Sequence, residues 1–218
     1  MVIPREAKRI TYSSEIRALK KKSFSKEQLS IVQGALLGDG CLHTAWAGTS
    51  KNYRFAKTHS VKQKEYVNWT YAKLKPFILT PPALYEPVQS LKLRTISHPE
   101  LTQLRSIFYP NGKKILPNNL ALIMQDSLAL AVWFMDDGSR CRASDVYLNT
   151  QQFAQKDQKV LQAMLAKLQI ENSLNKDKKY SRIRIKKSSI PKLYEIISPY
   201  IIPSMTYKLG YDPVETCS

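Results

Sequence analysis

Acidic residues, cysteines and long apolar runs are all scarce in this 218-residue sequence, and each scarcity excludes something. The three cysteines, Cys41, Cys141 and Cys217, are an odd number with no C-x-x-C spacing, which argues against both a disulfide framework and a zinc site and suits a reducing compartment. The longest apolar stretch, Leu128 to Met135, is bounded by Asp126 and Asp136 and falls well short of the roughly 20 residues a membrane span needs, so no membrane partner is expected. Met1 to Lys22 is basic but has no apolar core, and Glu6 and Glu15 interrupt it, so neither a secretory signal nor a transit peptide is expected. Seventeen Asp and Glu stand against 34 Lys and Arg, leaving a charge of +17 that must lie mostly on the surface, where it attracts polyanions. Nucleic acid is therefore the expected partner. The sequence does carry enough apolar material, 43% of residues with 10% aromatic, to exclude a disordered chain and to bury a core.

Cut near Pro117, the chain is basic on both sides, by 13 charges before and 4 after. Ser25 as N-cap, with Gln28 three residues on and Leu29, Val32 and Leu36 at helical spacing, predicts a first motif helix that Gly40 stops. A second is predicted from Asp126 through Leu128 to Met135, stopped by Gly138. Their endings are alike, Gly38-Asp39-Gly40 and Asp136-Asp137-Gly138. After each, the period drops to two: Val146 and Leu148 alternate with polar neighbours, as do Arg182 to Lys186 and Leu91 to Arg94. Tyr53-Arg54-Phe55 opens the same pattern, which Lys57 interrupts. Amphipathic helices are predicted over Tyr66 to Leu74, after the capping box Ser97-His98-Pro99-Glu100, through Leu161, Met164, Leu165 and Leu168, and over Leu193 to Ile197.

The order reads as a weak internal repeat with a period of about 100 residues. Asp39 and Asp137 are 98 apart, and a lysine follows each at 75 and 71 residues, Lys114 and Lys208. An aspartate in the last turn of a helix opposes the helix dipole, and two such residues call for a cation. If the motif helices pack side by side, Gly34, Ala35 and Gly38 with Ala129 and Ala131 allow close approach, and Asp39 and Asp137 meet. Two carboxylates with nearby carbonyls suit Mg²⁺ and phosphodiester hydrolysis, with a lysine offsetting charge. Read singly, an Asp-Gly ending can equally well be a simple turn that closes a helix.

Val32 to Gly40 and Leu130 to Gly138 resemble the two signature helices of the LAGLIDADG homing endonucleases, in their single-chain, two-motif branch. Lys113 to Leu120, Leu148 to Gln151 and Tyr200 to Leu209 are similar to the part of that branch that includes the yeast mitochondrial omega-intron endonuclease. The resemblance, over about residues 25 to 210, implies a pseudo-twofold α/β (α+β) fold: two antiparallel four-stranded sheets form a DNA-binding saddle, with the motif helices at the seam. It implies a basic extension over residues 1–24, an N-terminal half over 25–118 and a C-terminal half over 119–218. By matching position, Asp39 and Asp137 are the metal-binding catalytic carboxylates, the carbonyls of Gly38 and Asp136 are added metal ligands, and Lys114 and Lys208 are the active-site lysines. Mg²⁺ is the implied cofactor, with Mn²⁺ as a substitute and Ca²⁺ supporting binding without cleavage. Two positions depart from the pattern: Val132 is larger than its counterpart Gly34, and Gln33 is polar.

Outward strand positions are the expected DNA contacts: Arg54, Lys92 and Arg94 in the first half, and Arg140, Arg142, Tyr147, Asn149, Gln151, Arg182, Arg184 and Lys186 in the second. His43, His59 and His98 lack ligand spacing, and His98 before Pro99 reads as a turn residue. The expected activity is site-specific cleavage of double-stranded DNA by a monomer, in an organelle or a prokaryotic cytoplasm. The alternatives are an intron RNA maturase, which makes the host intron RNA a second partner, and a DNA-binding regulator. The latter class usually adds a helix-turn-helix, for which the tail after Leu209 is expected to leave no room.

Overall fold

The computed structural model describes residues 13–44, 52–141, 145–177 and 180–210. A short helix α1 (Ser14–Leu19) precedes the first motif helix α2 (Lys26–Leu37). Strands β1 (Cys41–Thr44) and β2 (Tyr53–Ser60), helix α3 (Lys64–Leu74), strands β3 (Ala83–Tyr85) and β4 (Ser90–Arg94) and helix α4 (Pro99–Phe108) complete the first half. Helix α5 (Leu120–Gln125) leads into the second motif helix α6 (Ser127–Asp137), followed by β5 (Gly138–Cys141), β6 (Asp145–Leu148), α7 (Gln155–Lys167), β7 (Asn172–Asp177), β8 (Tyr180–Ile185) and α8 (Ile190–Ile197). The two sheets are four-stranded and antiparallel with equivalent orders, β1-β2-β4-β3 and β5-β6-β8-β7, so the repeat anticipated from spacing is a repeat of topology.

Both motif helices start where their caps predict. Ser25 and Gln28 form a reciprocal capping box, and Asp126 accepts from the Ala129 amide. Helix α2 ends two residues sooner than Gly40, with Gly38 as its C-cap. The N-cap of α4 is His98 rather than Ser97, its Nδ1 accepting from the Glu100 amide.

The motif helices lie side by side in the same direction. Ser30 of α2 donates to the Asp126 carboxylate at 2.7 Å, and further along a Cβ on Gly34 would come within 2.3 Å of the Ala129 carbonyl and 2.9 Å of Val132 Cβ. The bulk of Val132 is thus accommodated by the absence of a side chain at Gly34, and the seam closes. Its walls are core: Ile31, Val32, Ala35, Ala129, Val132, Trp133 and Met135 are all fully buried. At roughly 25 cal/mol per Å² of apolar surface removed from water, this double-sided burial fixes α2 against α6 and thereby sets where both helix ends lie.

Alternation on the strands sorts inward from outward. On β8, Ile183 and Ile185 are buried while Arg184 is exposed. Cross-strand partners share a face. Arg54 with His43, and Lys92 with Thr58 and Ala83, mark the outward face of the first sheet; Tyr147 with Arg184 and Ser139 marks that of the second.

Candidate active site

The two helix ends converge at one end of the seam. A Cβ on Gly38 would come within 2.5 Å of Asp136 Cβ and 2.7 Å of its Oδ2, so the chains touch where the two acidic endings meet. The Asp39 side chain is 48% exposed, whereas Asp137 is buried. Asp137 Oδ2 accepts from Trp133 Nε1 at 3.0 Å and from Gln152 Nε2 at 3.4 Å. Burial, then the neighbouring charges of Asp136 and Asp39, push its carboxyl up to about 8 against the weaker opposing pull of Trp133 and Lys114. Three aspartates, Asp39, Asp136 and Asp137, thus meet at one place.

Both predicted lysines reach this place from distant segments. Lys114 donates to the Gly38 carbonyl at 2.7 Å and the Gly40 carbonyl at 3.4 Å; Lys208 donates to the carbonyls of Met135 and Asp136, the latter at 2.8 Å. The two are equivalent in role, each binding the carbonyl that precedes an Asp-Gly pair. Burial draws both ammonium groups below the usual lysine range, against the pull of the aspartates. Ammonium groups on the last carbonyls also offset the negative end of each helix dipole, which is what lets aspartates sit there.

Four polar residues around the site escaped the sequence reading. Lys57 does not break the β2 pattern: it takes an inward position and lies fully buried, its Nζ 2.7 Å from Asp136 Oδ1 and 2.7 Å from the Tyr66 hydroxyl. Tyr66, held a phenol by burial and by Asp136, donates to Asp136 Oδ1 at 2.8 Å. Burial alone would raise Asp136, but Lys57 and His59 outweigh it and hold the carboxyl at about 2. His59 places Nδ1 on Gln63 Oε1 at 2.9 Å and Nε2 3.5 Å from Asp136 Oδ1. Gln152, next to the predicted Gln151, bridges the halves by donating to the Leu37 carbonyl at 3.0 Å as well as to Asp137. The one available signal was the amide-rich run Asn149-Thr150-Gln151-Gln152 beyond β6.

The expected DNA contacts divide. Arg54, Lys92 and Arg94 share the outward face of the first sheet, and His43 Nε2 accepts from Arg54 Nε at 3.0 Å. Arg182, Arg184 and Lys186 project outward from the second; Arg184 is braced by Asp145 and Lys186 by Glu171. Tyr147 keeps its outward register but is buried, with the Arg182 guanidinium stacked 3.9 Å over its ring. Arg140 is exposed at the end of β5 and is already engaged within the protein. It pairs in register with Val146 and donates to the carbonyls of Leu209 and Gly210. Asn149 lies beside the site, its amide on the Asp137 carbonyl at 2.9 Å, and half-buried Gln151 follows in the turn beyond β6. Arg142 lies outside the described residues.

Two sheets with basic outward faces, hinged on a helix seam that ends in paired aspartates and lysines, define a nucleic-acid-cleaving class of protein. The chain belongs to the LAGLIDADG DNA endonuclease family, whose model matches residues 29–193. It is 29% identical over 219 residues to the probable intron-encoded endonuclease 1 of Wickerhamomyces canadensis, covering 92% of each chain. It is 30% identical over 204 residues to the cytochrome b mRNA maturase bI2 of Debaryomyces hansenii, covering 87% of this chain and 76% of that one. Among solved structures, the homing endonuclease I-WcaI bound to its DNA recognition sequence is 26% identical, with a TM-score of 0.81 over 92% of this chain and 94% of the other. Among the described residues no helix is long and apolar enough to cross a membrane.

Proposed function

We propose that this protein is a site-specific, Mg²⁺-dependent endonuclease that hydrolyses both strands of a long DNA target as a monomer. The observation that carries the reading is the pairing at the seam: Asp39 and Asp137 on adjoining helix ends, with Lys114 and Lys208 each on the carbonyl preceding its aspartate. The donors suit a hard cation, since Asp39 is half open to solvent and Asp137 sits among like charges that a divalent ion would neutralise. Asp39 and Asp137 would hold it, with the carbonyls of Gly38 and Asp136 as further oxygens. When bound, the metal supplies an activated water and offsets charge on the scissile phosphate.

The chain's own residues do the rest. Lys114 and Lys208 hold the helix ends in shape and offset carbonyl charge, which fixes the carboxylates in place before DNA arrives. Trp133 and Gln152 orient Asp137. The outward arginines and lysines of both sheets meet phosphates and base edges, Arg54 aimed by His43 and Arg182 by Tyr147. The halves 25–118 and 119–218 each supply one aspartate, one lysine and one sheet, and the duplication makes a monomer sufficient.

A second reading, RNA maturase, draws support from the similarity to a maturase of Debaryomyces hansenii. The same similarity supports a place in an organelle. The test is incubation of the purified protein with duplex DNA spanning the gene's own intronless insertion site and, separately, with its host intron RNA. Mg²⁺-dependent double-strand breaks, absent in Asp39→Asn and Asp137→Asn, support the endonuclease. Splicing stimulation without any DNA cleavage supports the maturase instead.

A further inference from the structure

The duplication is broken where the two motif-helix ends meet. In the first half the residue before the catalytic-type aspartate is Gly38; in the second it is Asp136. The ladder registers extend the comparison: Cys41 pairs with Ala56 and its counterpart Ser139 with Tyr147, so Lys57 corresponds to Leu148 and His59 to Thr150. One half therefore contributes a carboxylate and no side chain opposite it, and the other contributes the cation and the space. Asp136 fills that space. Its Oδ1 takes Lys57 and the Tyr66 hydroxyl, and its Oδ2 accepts from the main-chain amide of Asp39 at 3.2 Å.

This carboxylate is thus fully occupied across the seam. Asp39, His59 and Asp136 do come within 4.8 Å of one another, but Lys57 holds the Asp136 oxygen that faces His59, which disfavours a cation there. What Asp136 controls is position. Asp39 is tied through its backbone to Asp136, the opposite half's member of a buried ion pair that spans the seam, and its carboxylate lies 3.8 Å from His59 Nδ1, whereas Asp137 is tied through its own carboxylate to Trp133 and Gln152.

We propose that Asp136 is a positioning residue for Asp39, and that this one-sided tether makes the two half-sites unequal, so the two DNA strands are cut at separable rates. The proposal deepens the endonuclease reading and rests on it. Loosening the tether frees the Asp39 backbone, whereas Asp137 keeps its own ties to Trp133 and Gln152, and a misplacement of about 1 Å in a catalytic group costs on the order of 100-fold in rate.

The test uses the paired variant Lys57→Met/Asp136→Leu, which replaces the buried ion pair by apolar groups of similar size, together with the milder Tyr66→Phe. Each strand of the target duplex is 5′-labelled and its cleavage followed in Mg²⁺; binding is measured in Ca²⁺, and the Asp39 amide proton is followed by NMR in the metal-free protein. The expected result is a change in the ratio of the two strand-cutting rates of about 10- to 100-fold in the paired variant, with nicked duplex accumulating, binding kept within about twofold and the Asp39 amide shifted upfield. Tyr66→Phe should move the ratio the same way by less. Equal slowing of both strands, or an unchanged ratio with an unmoved Asp39 amide, overturns the proposal. If the paired variant does not fold, Tyr66→Phe and Asp136→Asn decide by the same readouts. If the wild type cuts neither strand, the endonuclease reading fails, and an unmoved Asp39 amide would still refute the tether.

Discussion

Asp137→Asn should make the metal-free protein more stable while abolishing cleavage. In the folded chain burial and the charges of Asp136 and Asp39 push the Asp137 carboxyl up to about 8. In the unfolded chain it titrates at about 4. The sign follows from that order. Between pH 4 and 8 the unfolded state is ionised and the folded state protonated, so stability falls as pH rises through this window and falls no further above it. At pH 7 the loss amounts to about 4 kcal/mol as an upper bound, from three pH units at 1.36 kcal/mol each. Asparagine keeps an oxygen for the Trp133 indole and removes the titration. In a protein of this size each kcal/mol moves the Tm by about 2–4 °C, so thermal melts in EDTA at pH 7 should show Asp137→Asn higher by about 5 °C or more. At pH 5 the gap should shrink to less than half. Adding Ca²⁺ should raise the Tm of the wild type more than that of the variant, because only the wild type can offer the ion two carboxylates, Asp39 and Asp137. A variant that melts at or below the wild-type temperature in EDTA at pH 7 would refute the claim that crowded negative charge strains the site.

Other outcomes test the remaining parts of the account. Lys114→Ala and Lys208→Ala should each slow single-turnover cleavage by about 100-fold or more while binding in Ca²⁺ stays within severalfold; an unchanged rate in either would make that lysine structural only. On β8, Ile185→Asp should unfold or aggregate the protein by burying an unpaired charge, whereas Arg184→Ala should keep the Tm and weaken DNA binding, with a salt slope shallower by about 1 if the contact is a phosphate. His43 is held down at about 4 by burial and then by Arg54, Lys92 and Arg94, so its Nε2 remains an acceptor for Arg54. The unfolded histidine takes its proton near 6.5, so stability should fall as pH drops from about 6.5 towards 4, a dependence that His43→Gln should flatten. A His43→Gln pH profile matching the wild type would show that His43 is protonated in the folded chain.

Local signals made the scaffold legible. The caps at Ser25 and Asp126, the apolar periodicity of α2 and α6, and the alternation on β4 and β8 are each written within a dozen residues, and the structure follows them. What could not be read is what pairs across the seam. Lys57 looks like a break in a strand because its partner Asp136 lies in the other half, and only tertiary packing converts an inward lysine into a buried ion pair. Arg140 carries the same charge as Arg182, and nothing local says that the first donates to the carbonyls at Leu209 and Gly210. Val132 appears too large for a seam until Gly34 is placed opposite it. Gln152 and Tyr66, beside Asp137 and Asp136, are ordinary polar and aromatic residues whose roles exist only in three dimensions.

The most direct measurement is a cleavage assay of the purified protein on a linear duplex containing the gene's own intronless insertion site, beside a scrambled duplex of equal length. It is run in Mg²⁺, in Ca²⁺ and in EDTA, with Asp39→Asn and Asp137→Asn in parallel. A double-strand break at one position of the cognate duplex is predicted in Mg²⁺ alone, with binding but no cleavage in Ca²⁺ and at least a thousandfold loss in each variant. Cleavage that survives in either variant, or that proceeds equally in EDTA, would contradict the assignment of the paired aspartates at the seam as the catalytic centre.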